Sequence, residues 1–452
     1  MAPGSRRGAL RAGGAAGLAG LAGLGGPAAA AGGRGAAAGA PPRGAPGRGR
    51  GAAAAAAPPA TVAYEDGAVS VASQRVPVSL WYPAGAAGGG GGAAPAPLYY
   101  PHAISVAKIA RVLLGLGKWV PRLLDRDVPL PAAADVVSWG AAGAGAVGAV
   151  RGGCVLCHGY LGSRFDLADF AEALAAAGFV VAAPEFAEAL ADPETTPRQQ
   201  RPGTPPPADP SASREDIMDA TLRDVLGGRF DLQAGRDGVA LVGQSAGAGT
   251  ALRTPGPFAR VAIAGFNPPE PEAVTQDPLL VIASEGDGVI SLKPRESGRF
   301  GPNPGITAAV DALPGTVARY SGGDVAELRR ASEAGGGEGA PRRAFVAYEG
   351  PGSPNHISFL SSRTNDAMIE TLSPLLPIAK ALDIPMLDFD VYAEALDSDR
   401  VAAELVPAVV SWLCAVLPDG GGGGGGGGGG RGGAGGGGGG GAGSGSAAAP
   451  EP

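Results

Sequence analysis

The pentapeptide Gly243-Gln244-Ser245-Ala246-Gly247 has the G-x-S-x-G pattern, in which a serine stands between two glycines. It follows the apolar run GVALV and leads into a sequence that is typical of a helix start. A serine at the tip of such a strand-to-helix turn is held in a strained conformation with its Oγ free of the sheet. The strand and helix backbones then pass so closely that both flanking positions need glycine. This context predicts that Ser245 is a nucleophile.

A serine nucleophile needs a base, and the chain contains three histidines. In hydrolases with this turn, the chain order is serine, acid, histidine. His356 alone follows Ser245, and it lies in a loop just after the apolar run AFVAYE at residues 344–349. His102 precedes the turn, and we interpret it as a surface or packing residue. The order of the residues therefore predicts that His356 is the base.

The acid is expected after the second strand beyond the nucleophile, LLVIAS at residues 279–284. Asp287 follows this strand in the turn SEGDGVI, where its carboxylate would hold the imidazole in one tautomer and stabilise the imidazolium. Glu285 is the second candidate. Asp277 precedes the strand and lies at the wrong end, so Asp287 is the predicted acid.

The remaining histidine lies in the stretch GCVLCHGYLGS, which fits two unrelated sites. Cys154, Cys157 and His158 have the C-x-x-C-H spacing of haem attachment, and a zinc site would use the same three residues. Alternatively, CVLC is a buried strand, and the backbone N–H groups of Tyr160 and Ala246 bind an oxyanion. We favour this second interpretation, because a haem site would leave the serine, acid and histidine unexplained. Whether the two cysteines are redox-active stays open.

Apolar strands alternate with helices along the chain. Strands are predicted at 62–71, 74–85, 154–157, 179–186, 238–243, 261–266, 279–284 and 344–349, and helices at 104–120, 166–177, 213–226, directly after Ser245 and at 401–417. Uniformly apolar strands of this kind form a parallel sheet that is covered on both faces. We therefore predict an α/β protein with a mostly parallel central sheet, helices on both faces and two antiparallel strands at the front. Its site should lie at the carboxyl ends of the strands.

Five segments together resemble the platelet-activating-factor acetylhydrolase-like group of proteins, in the dienelactone hydrolase-like branch of the α/β-hydrolase superfamily. They are RVPVSLWYPAG, HGYLGSRFDLADFAEALAAAGFVVAAPEF, GVALVGQSAGAGTAL, ASEGDGVI and NHISF. The resemblance covers roughly residues 62–290 and 343–415. It implies the α/β-hydrolase fold.

The resemblance also implies a serine carboxylic-ester hydrolase that works through an acyl-enzyme without metal or cofactor. Ser245, Asp287 and His356 would be its nucleophile, acid and base, and Tyr160 and Ala246 its oxyanion donors. The expected substrate is a lipid or acetyl ester of the 1-alkyl-2-acetylglycerophosphocholine kind. Chlorophyllase-like, dienelactone hydrolase-like and cutinase-like esterases are the alternatives. A non-catalytic binding protein with this fold is a second class, which the complete set of three residues disfavours.

Two features depart from the pattern of this group. Gln244 stands where the group commonly has a histidine before the serine. Residues 291–342 form a low-complexity insertion, whose middle we expect to be disordered. Both departures concern the choice of substrate more than the chemistry.

Gly and Pro, 81 and 43 of the 452 residues, are concentrated in parts of the chain. Residues 1–60 contain seven Arg but no Lys, Asp or Glu, and the end of the chain is a glycine tract. Neither segment has the large apolar side chains that would offset the entropy of ordering. We therefore predict disordered ends at 1–60 and 419–452 around a hydrolase domain at 61–418. The first segment is expected to direct the protein to a chloroplast or another organelle, with secretion or a cytoplasmic location as the alternative.

Charge and hydropathy restrict the partners. Seven of the 35 basic residues lie in residues 1–60, which leaves 28 basic against 42 acidic residues in the rest of the chain. This acidic body argues against nucleic-acid binding. No apolar run is long enough to predict a membrane-spanning helix. The amphipathic segment 104–120, with Lys108, Arg111 and Lys118 opposite its apolar arc, could lie on a lipid interface, but packing on the sheet is the interpretation that we favour.

Overall fold

The computed structural model describes residues 61–85, 97–109, 125–133, 135–138, 147–191, 212–266, 278–294, 305–335, 339–373, 377 and 397–418. The described strands are β1 (Val62–Val71), β2 (Gln74–Pro83), β3 (Tyr99–Tyr100), β4 (Ala103–Ile104), β5 (Arg126–Asp127), β6 (Leu130–Pro131), β7 (Val136–Ser138), β8 (Gly152–Cys157), β9 (Phe179–Pro184), β10 (Val239–Gln244), β11 (Ala259–Ile263), β12 (Leu279–Ser284), β13 (Ala318–Ser321) and β14 (Arg343–Tyr348). The main helices are α1 (Ala168–Ala176), α2 (Arg214–Ala220), α3 (Ala246–Arg253), α4 (Ile306–Asp311), α5 (Val325–Gly335), α6 (Ser362–Leu372) and α7 (Ser398–Val416). Beyond α2 the chain continues through a π-helical segment, Thr221–Gly227, and a last turn, Gly228–Phe230; a second π-helical turn, Ala234–Gly238, precedes β10.

Ten of the described strands form one sheet in the order β13-β14-β12-β11-β10-β8-β9-β2-β1-β7. Strand β2 pairs antiparallel with both β1 and β9, and every other described pair in this sheet is parallel. The predicted mostly parallel sheet with an antiparallel front is therefore confirmed. The chain runs from β8 to β9 on one side and returns to β10 on the other side of β8. Such a reversal opens a crevice at the carboxyl ends of the strands, which is where ligands bind in sheets of this type.

Helices cover the sheet on both faces. The side chains of strand β10 alternate between the two faces of the sheet. Ala240 and Val242 pack in one core cluster with α1 and α7, whereas Leu241 packs in another with α2. Successive side chains of a strand point to opposite faces, so a strand that is buried on both sides has no position for a solvated side chain. This explains why the central strands consist almost wholly of apolar residues.

The prediction of a disordered middle in the insertion 291–342 is wrong for residues 305–335, which are described as α4, β13 and α5. Strand β13 pairs with β14 at the edge of the sheet, and helix α5 packs on it with Val325 and Leu328 buried in the core. The few apolar residues of these elements stand among glycines and charged residues, so the sequence shows no clear helical or strand periodicity there.

The predicted helix at 104–120 lies mostly outside the described residues, and its helical part at 106–109 is buried. Lys108, which we placed on a polar face, is also buried, and its Nζ donates hydrogen bonds to the carbonyl oxygens of Ala187 and Ala191 at 2.7 and 3.0 Å. The start of this segment therefore packs against the protein. The predicted disordered ends lie outside the described residues. In the part of the chain that the structure describes, no helix is long and apolar enough to cross a membrane.

Candidate active site

Ser245 lies at the tip of the turn between β10 and α3. Its φ of 56° and ψ of −121° fall in a region that residues with a side chain rarely adopt, which makes this a strained position. The surrounding backbone leaves no room for a side chain at either flanking glycine. A Cβ at Gly247 would overlap the carbonyl of Cys157, and one at Gly243 would overlap the carbonyl of Gly247. The two glycines are therefore required by close packing of β10, α3 and β8.

Asp287 and His356 lie in the loops that follow β12 and β14. Oδ2 of Asp287 is 2.9 Å from Nδ1 of His356. The carboxylate has no exposed surface, and its Oδ1 accepts hydrogen bonds from the N–H groups of Val289 and Ile290 at 2.8 and 2.7 Å. These two donors fix the carboxylate so that Oδ2 faces the imidazole. Because Nδ1 donates to the carboxylate, a neutral His356 has its lone pair on Nε2, the atom that can accept a proton.

The loop that carries His356 is held by two amide side chains. Oδ1 of Asn355 accepts a hydrogen bond from the N–H of Ile357 at 3.1 Å and so closes a local turn around His356. Nδ2 of Asn365, from helix α6, donates to the carbonyl of Ile357 at 2.8 Å. Helix α6 thus anchors the loop through this hydrogen bond.

Gln244, the residue before Ser245, lies against His356. Its Nε2 is 3.4 Å from Nε2 of His356 and donates to the backbone carbonyl of His356 at 3.0 Å. Among the described residues, no hydrogen bond joins Oγ of Ser245 directly to the imidazole. The structure therefore brings Asp287 and His356 into contact and places His356 against the direct neighbour of Ser245.

The turn after β8 adjoins Ser245. A Cβ at Gly159 would lie 3.3 Å from Cβ of Ser245 and 2.7 Å from Oε1 of Gln244, so the backbone of this turn passes directly beside the serine. No hydrogen bond within the described ranges uses the backbone N–H of Tyr160 or of Ala246. The first N–H groups of a helix have no partner inside the helix, which accounts for Ala246. In the described part of the chain both N–H groups thus lack a partner, and both belong to turns that meet at Ser245.

His158 has a structural position in this turn. Its Nε2 accepts a hydrogen bond from the N–H of Phe186 at 2.9 Å, so Nδ1 carries the proton and donates to the carbonyl of Gly159 at 2.7 Å. Burial, together with the positive charge of Arg214, lowers the pKa of His158 well below its usual range. The ring is therefore neutral and orients the turn.

Cys154 and Cys157 do not converge with each other. They lie three positions apart on β8, and their side chains are buried in different core clusters on opposite faces of the sheet. Attachment of a haem, coordination of zinc and a disulfide within the pair all require the two thiols on one side. The C-x-x-C-H spacing is thus a consequence of a buried strand that leads into a turn.

Sequence reasoning missed Arg214, the first residue of α2. Its Nη1 donates to the carbonyl of His158 at 3.0 Å, and its Nη2 donates to the carbonyl of Gly159 at 3.1 Å. A single arginine at a helix start has no local signal that would indicate such a contact. Asn365 was missed as well, because nothing in the sequence around it indicates that its side chain donates to the carbonyl of Ile357.

The reversal of strand order at β8 and the strained strand–turn–helix at Ser245 decide the fold. The chain has the α/β-hydrolase fold. Its sequence matches no protein-family model and no curated protein. Similar solved structures include a ferulic acid esterase from Streptomyces cinnamoneus, at 18% identity and a TM-score of 0.40, over 81% of this chain and 92% of that chain. Another is TT1662 from Thermus thermophilus, at 17% identity and a TM-score of 0.26, over 46% of this chain and 82% of that chain.

Proposed function

We propose that the protein is a serine carboxylic-ester hydrolase in which Ser245 is the nucleophile, His356 the general base and Asp287 the acid that orients it. One observation carries the proposal: a buried carboxylate lies 2.9 Å from Nδ1 of His356, at the same edge of the sheet as the strained serine. Because Nδ1 donates to this carboxylate, Nε2 of His356 is the atom that would accept the proton of Ser245.

In the first half of the reaction, His356 takes the proton of Ser245 as Oγ attacks the ester carbonyl. The proton transfer needs Oγ within about 3 Å of Nε2, and hydrogen bonds of this kind often form only when substrate is bound. The N–H groups of Tyr160 and Ala246 stabilise the oxyanion of the tetrahedral intermediate. The alcohol then leaves with a proton from His356, and Ser245 carries the acyl group.

In the second half, a water molecule replaces the alcohol. His356 takes a proton from the water, whose oxygen attacks the acyl carbonyl of the ester on Ser245. Collapse of the second tetrahedral intermediate breaks the bond to Oγ, and His356 returns the proton to Ser245. The products are the free acid and the original enzyme.

The sequence resemblance favours a lipid or acetyl ester as substrate, with chlorophyllase-like, dienelactone hydrolase-like and cutinase-like activities as alternatives. Peripheral contact with a lipid surface through residues 104–120 and import into an organelle through residues 1–60 stay predictions. The substrates to compare are an acetylglycerophospholipid, chlorophyll, a ferulate ester and p-nitrophenyl esters of increasing acyl length. A kcat/KM that is highest for the acetylglycerophospholipid would support the favoured substrate class, and a preference for any other would replace it.

The nucleophile is tested by hydrolysis of p-nitrophenyl acetate. Ser245→Ala should lower turnover at least about 1,000-fold, because removal of a triad member leaves only the contributions of binding and the oxyanion donors. Ser332→Ala is a matched control, since Ser332 is also buried and, among the described residues, its Oγ bonds within helix α5, to the carbonyl of Leu328. Equal turnover by wild type and Ser245→Ala would overturn the proposed function.

A further inference from the structure

Three donors converge on the carbonyl oxygen of Gly159. They are Nδ1 of His158 at 2.7 Å, Nη2 of Arg214 at 3.1 Å and the N–H of Gly162 at 3.2 Å. The N–H of the same peptide unit belongs to Tyr160 and has no hydrogen-bond partner in the described part of the chain. The C=O of this peptide unit thus accepts three hydrogen bonds, whereas its N–H donates none to the described residues.

A peptide unit is planar and trans, so its C=O and N–H point in opposite directions. Whatever fixes the direction of the Gly159 carbonyl therefore also fixes the direction of the Tyr160 N–H. A positive charge at the carbonyl oxygen further withdraws electrons through the amide and makes the N–H a stronger donor. Arg214 is the charged member of the three donors, because His158 is neutral.

The guanidinium of Arg214 is itself held by several partners. Nε donates to Oε1 of Glu188 at 2.5 Å, and the guanidinium carbon lies 4.1 Å from the centre of the Phe186 ring. The side chain of Arg214 is 12% exposed. A planar fork that is stacked and paired in this way can hold two carbonyl oxygens at fixed positions, which a flexible ammonium cannot do.

Arg214 also reaches the second turn of the site. Nη1 donates to Oγ1 of Thr250 at 3.2 Å, and that hydroxyl donates to the carbonyl of Ala246 at 3.1 Å. One guanidinium is therefore connected to the Gly159 carbonyl in the turn after β8 and, through Thr250, to the Ala246 carbonyl in the first turn of α3.

We infer that Arg214 is a positioning residue for the oxyanion site: it fixes and polarises the Gly159–Tyr160 peptide so that the Tyr160 N–H stabilises the transition state. This inference rests on the proposed function, because an oxyanion forms only if Ser245 attacks a carbonyl. Arg214 touches no reacting atom and acts through the backbone.

The kinetic test compares Arg214→Met and Arg214→Lys with wild type on p-nitrophenyl acetate. Because an oxyanion donor acts on the transition state, kcat should fall about 10- to 100-fold in both variants, with KM nearly unchanged. Arg253→Met is the matched control: Arg253 lies on α3 and pairs with Glu215, but it contacts neither carbonyl. It removes the same charge but none of the hydrogen bonds to the two carbonyls, so kcat should stay within about twofold.

A spectroscopic test reads the peptide itself. The amide ¹⁵N frequency of Tyr160 responds to hydrogen bonding at the preceding carbonyl, so it should move in both Arg214 variants and stay in place in Arg253→Met. Labelling with ¹⁵N-tyrosine gives eight signals at most, and the signal that disappears in Tyr160→Phe is the one to follow. Glu188→Gln, which leaves the arginine in place but removes its ion pair, should produce a smaller shift of the same sign.

The outcomes separate the two proposals. A loss confined to KM, or a folded Arg214→Met or Arg214→Lys protein with an unmoved Tyr160 signal, would overturn the positioning role while the hydrolase mechanism stands. Turnover that survives in Ser245→Ala would overturn the hydrolase mechanism and, with it, the kinetic part of the inference. If Arg214→Met fails to fold, Arg214→Lys and Glu188→Gln give the same readouts.

Discussion

Asp287 and His356 are 69 positions apart in the chain, yet Oδ2 of the first lies 2.9 Å from Nδ1 of the second. Their strands, β12 and β14, are direct neighbours in the sheet, and Ser284 stands opposite Tyr348 at the carboxyl ends. The N–H of Glu285 donates to the carbonyl of Tyr348 at 2.8 Å and extends the pairing by one residue. The two loops therefore leave the sheet side by side, and the contact between acid and base follows from strand register.

Asp287→Asn should lower kcat by about 10⁴-fold, because an amide at this position favours the wrong tautomer of His356. Glu285→Gln is the matched control. Glu285 is the alternative acid from the same turn, but it is occupied by Lys293 and by the N–H of Gly350 on the surface. Steady-state kinetics with p-nitrophenyl acetate measure both variants. A comparable loss of kcat in Glu285→Gln would contradict the assignment of Asp287 as the acid.

The close approach of α3 to β8 makes Gly247 and Gly249 respond differently to alanine. Gly247→Ala should lower the free energy of unfolding by about 1–3 kcal/mol or more, since its Cβ would overlap the backbone of Cys157. At Gly249 the nearest atom to a Cβ is the end of the Arg253 side chain, which can move away. Gly249→Ala should therefore stabilise the helix by about 0.5–1 kcal/mol. Urea denaturation measures both, and effects of equal sign and size would contradict the packing.

Asp166 should make stability depend on pH. Burial raises the pKa of its carboxyl to about 8, and the nearby charge of Glu185 acts in the same direction. An unfolded Asp has a pKa of about 3.9, so between about pH 4 and 8 the folded state retains a proton that the unfolded state has released. The unfolded state then binds fewer protons, and the free energy of unfolding falls as pH rises through this window.

Asp166→Asn removes this titration with little change of shape. The variant should therefore gain stability relative to wild type between pH 5 and 8, by at most about 1.4 kcal/mol per pH unit. Asp219→Asn, at an exposed position, is the control and should show no such trend. Urea denaturation at pH 5, 6, 7 and 8 gives the comparison. A constant difference between wild type and Asp166→Asn across this range would show that the buried carboxyl is already ionised.

Most of the central sheet is predictable from the sequence, because strands buried on both faces are short apolar runs. Strand β10 is predicted at 238–243 and observed at Val239–Gln244. Strand β13 could not be predicted from the sequence in this way, because only Tyr320 of its four residues is buried and the strand has no apolar run. Helix α6 is missed because its buried positions include polar residues, Thr364 and Asn365, so no apolar stripe marks it.

The candidate site is predictable to the extent that its residues are scarce. One histidine follows Ser245 in the chain, which leaves a single choice of base. Arg214 could not be found in this way, since it acts on backbone carbonyls 55 and 56 positions away. Carbonyl groups are present at every residue, so their partners are specified only by how α2 packs on the turn. The same holds for Gln244, whose contact with His356 depends on the meeting of two distant loops.

The central claim is that Ser245 is activated by His356, and covalent labelling with a fluorophosphonate tests it most directly. This reagent transfers its phosphonyl group to the Oγ of an activated serine and releases fluoride. Mass spectrometry detects the product as one added phosphonyl group per chain. The account predicts a single adduct on the peptide that contains Ser245, no adduct in Ser245→Ala, and labelling at least about 100-fold slower in His356→Asn, as expected when a general base is lost. An unlabelled wild-type protein, or equal labelling of Ser245→Ala, would contradict it.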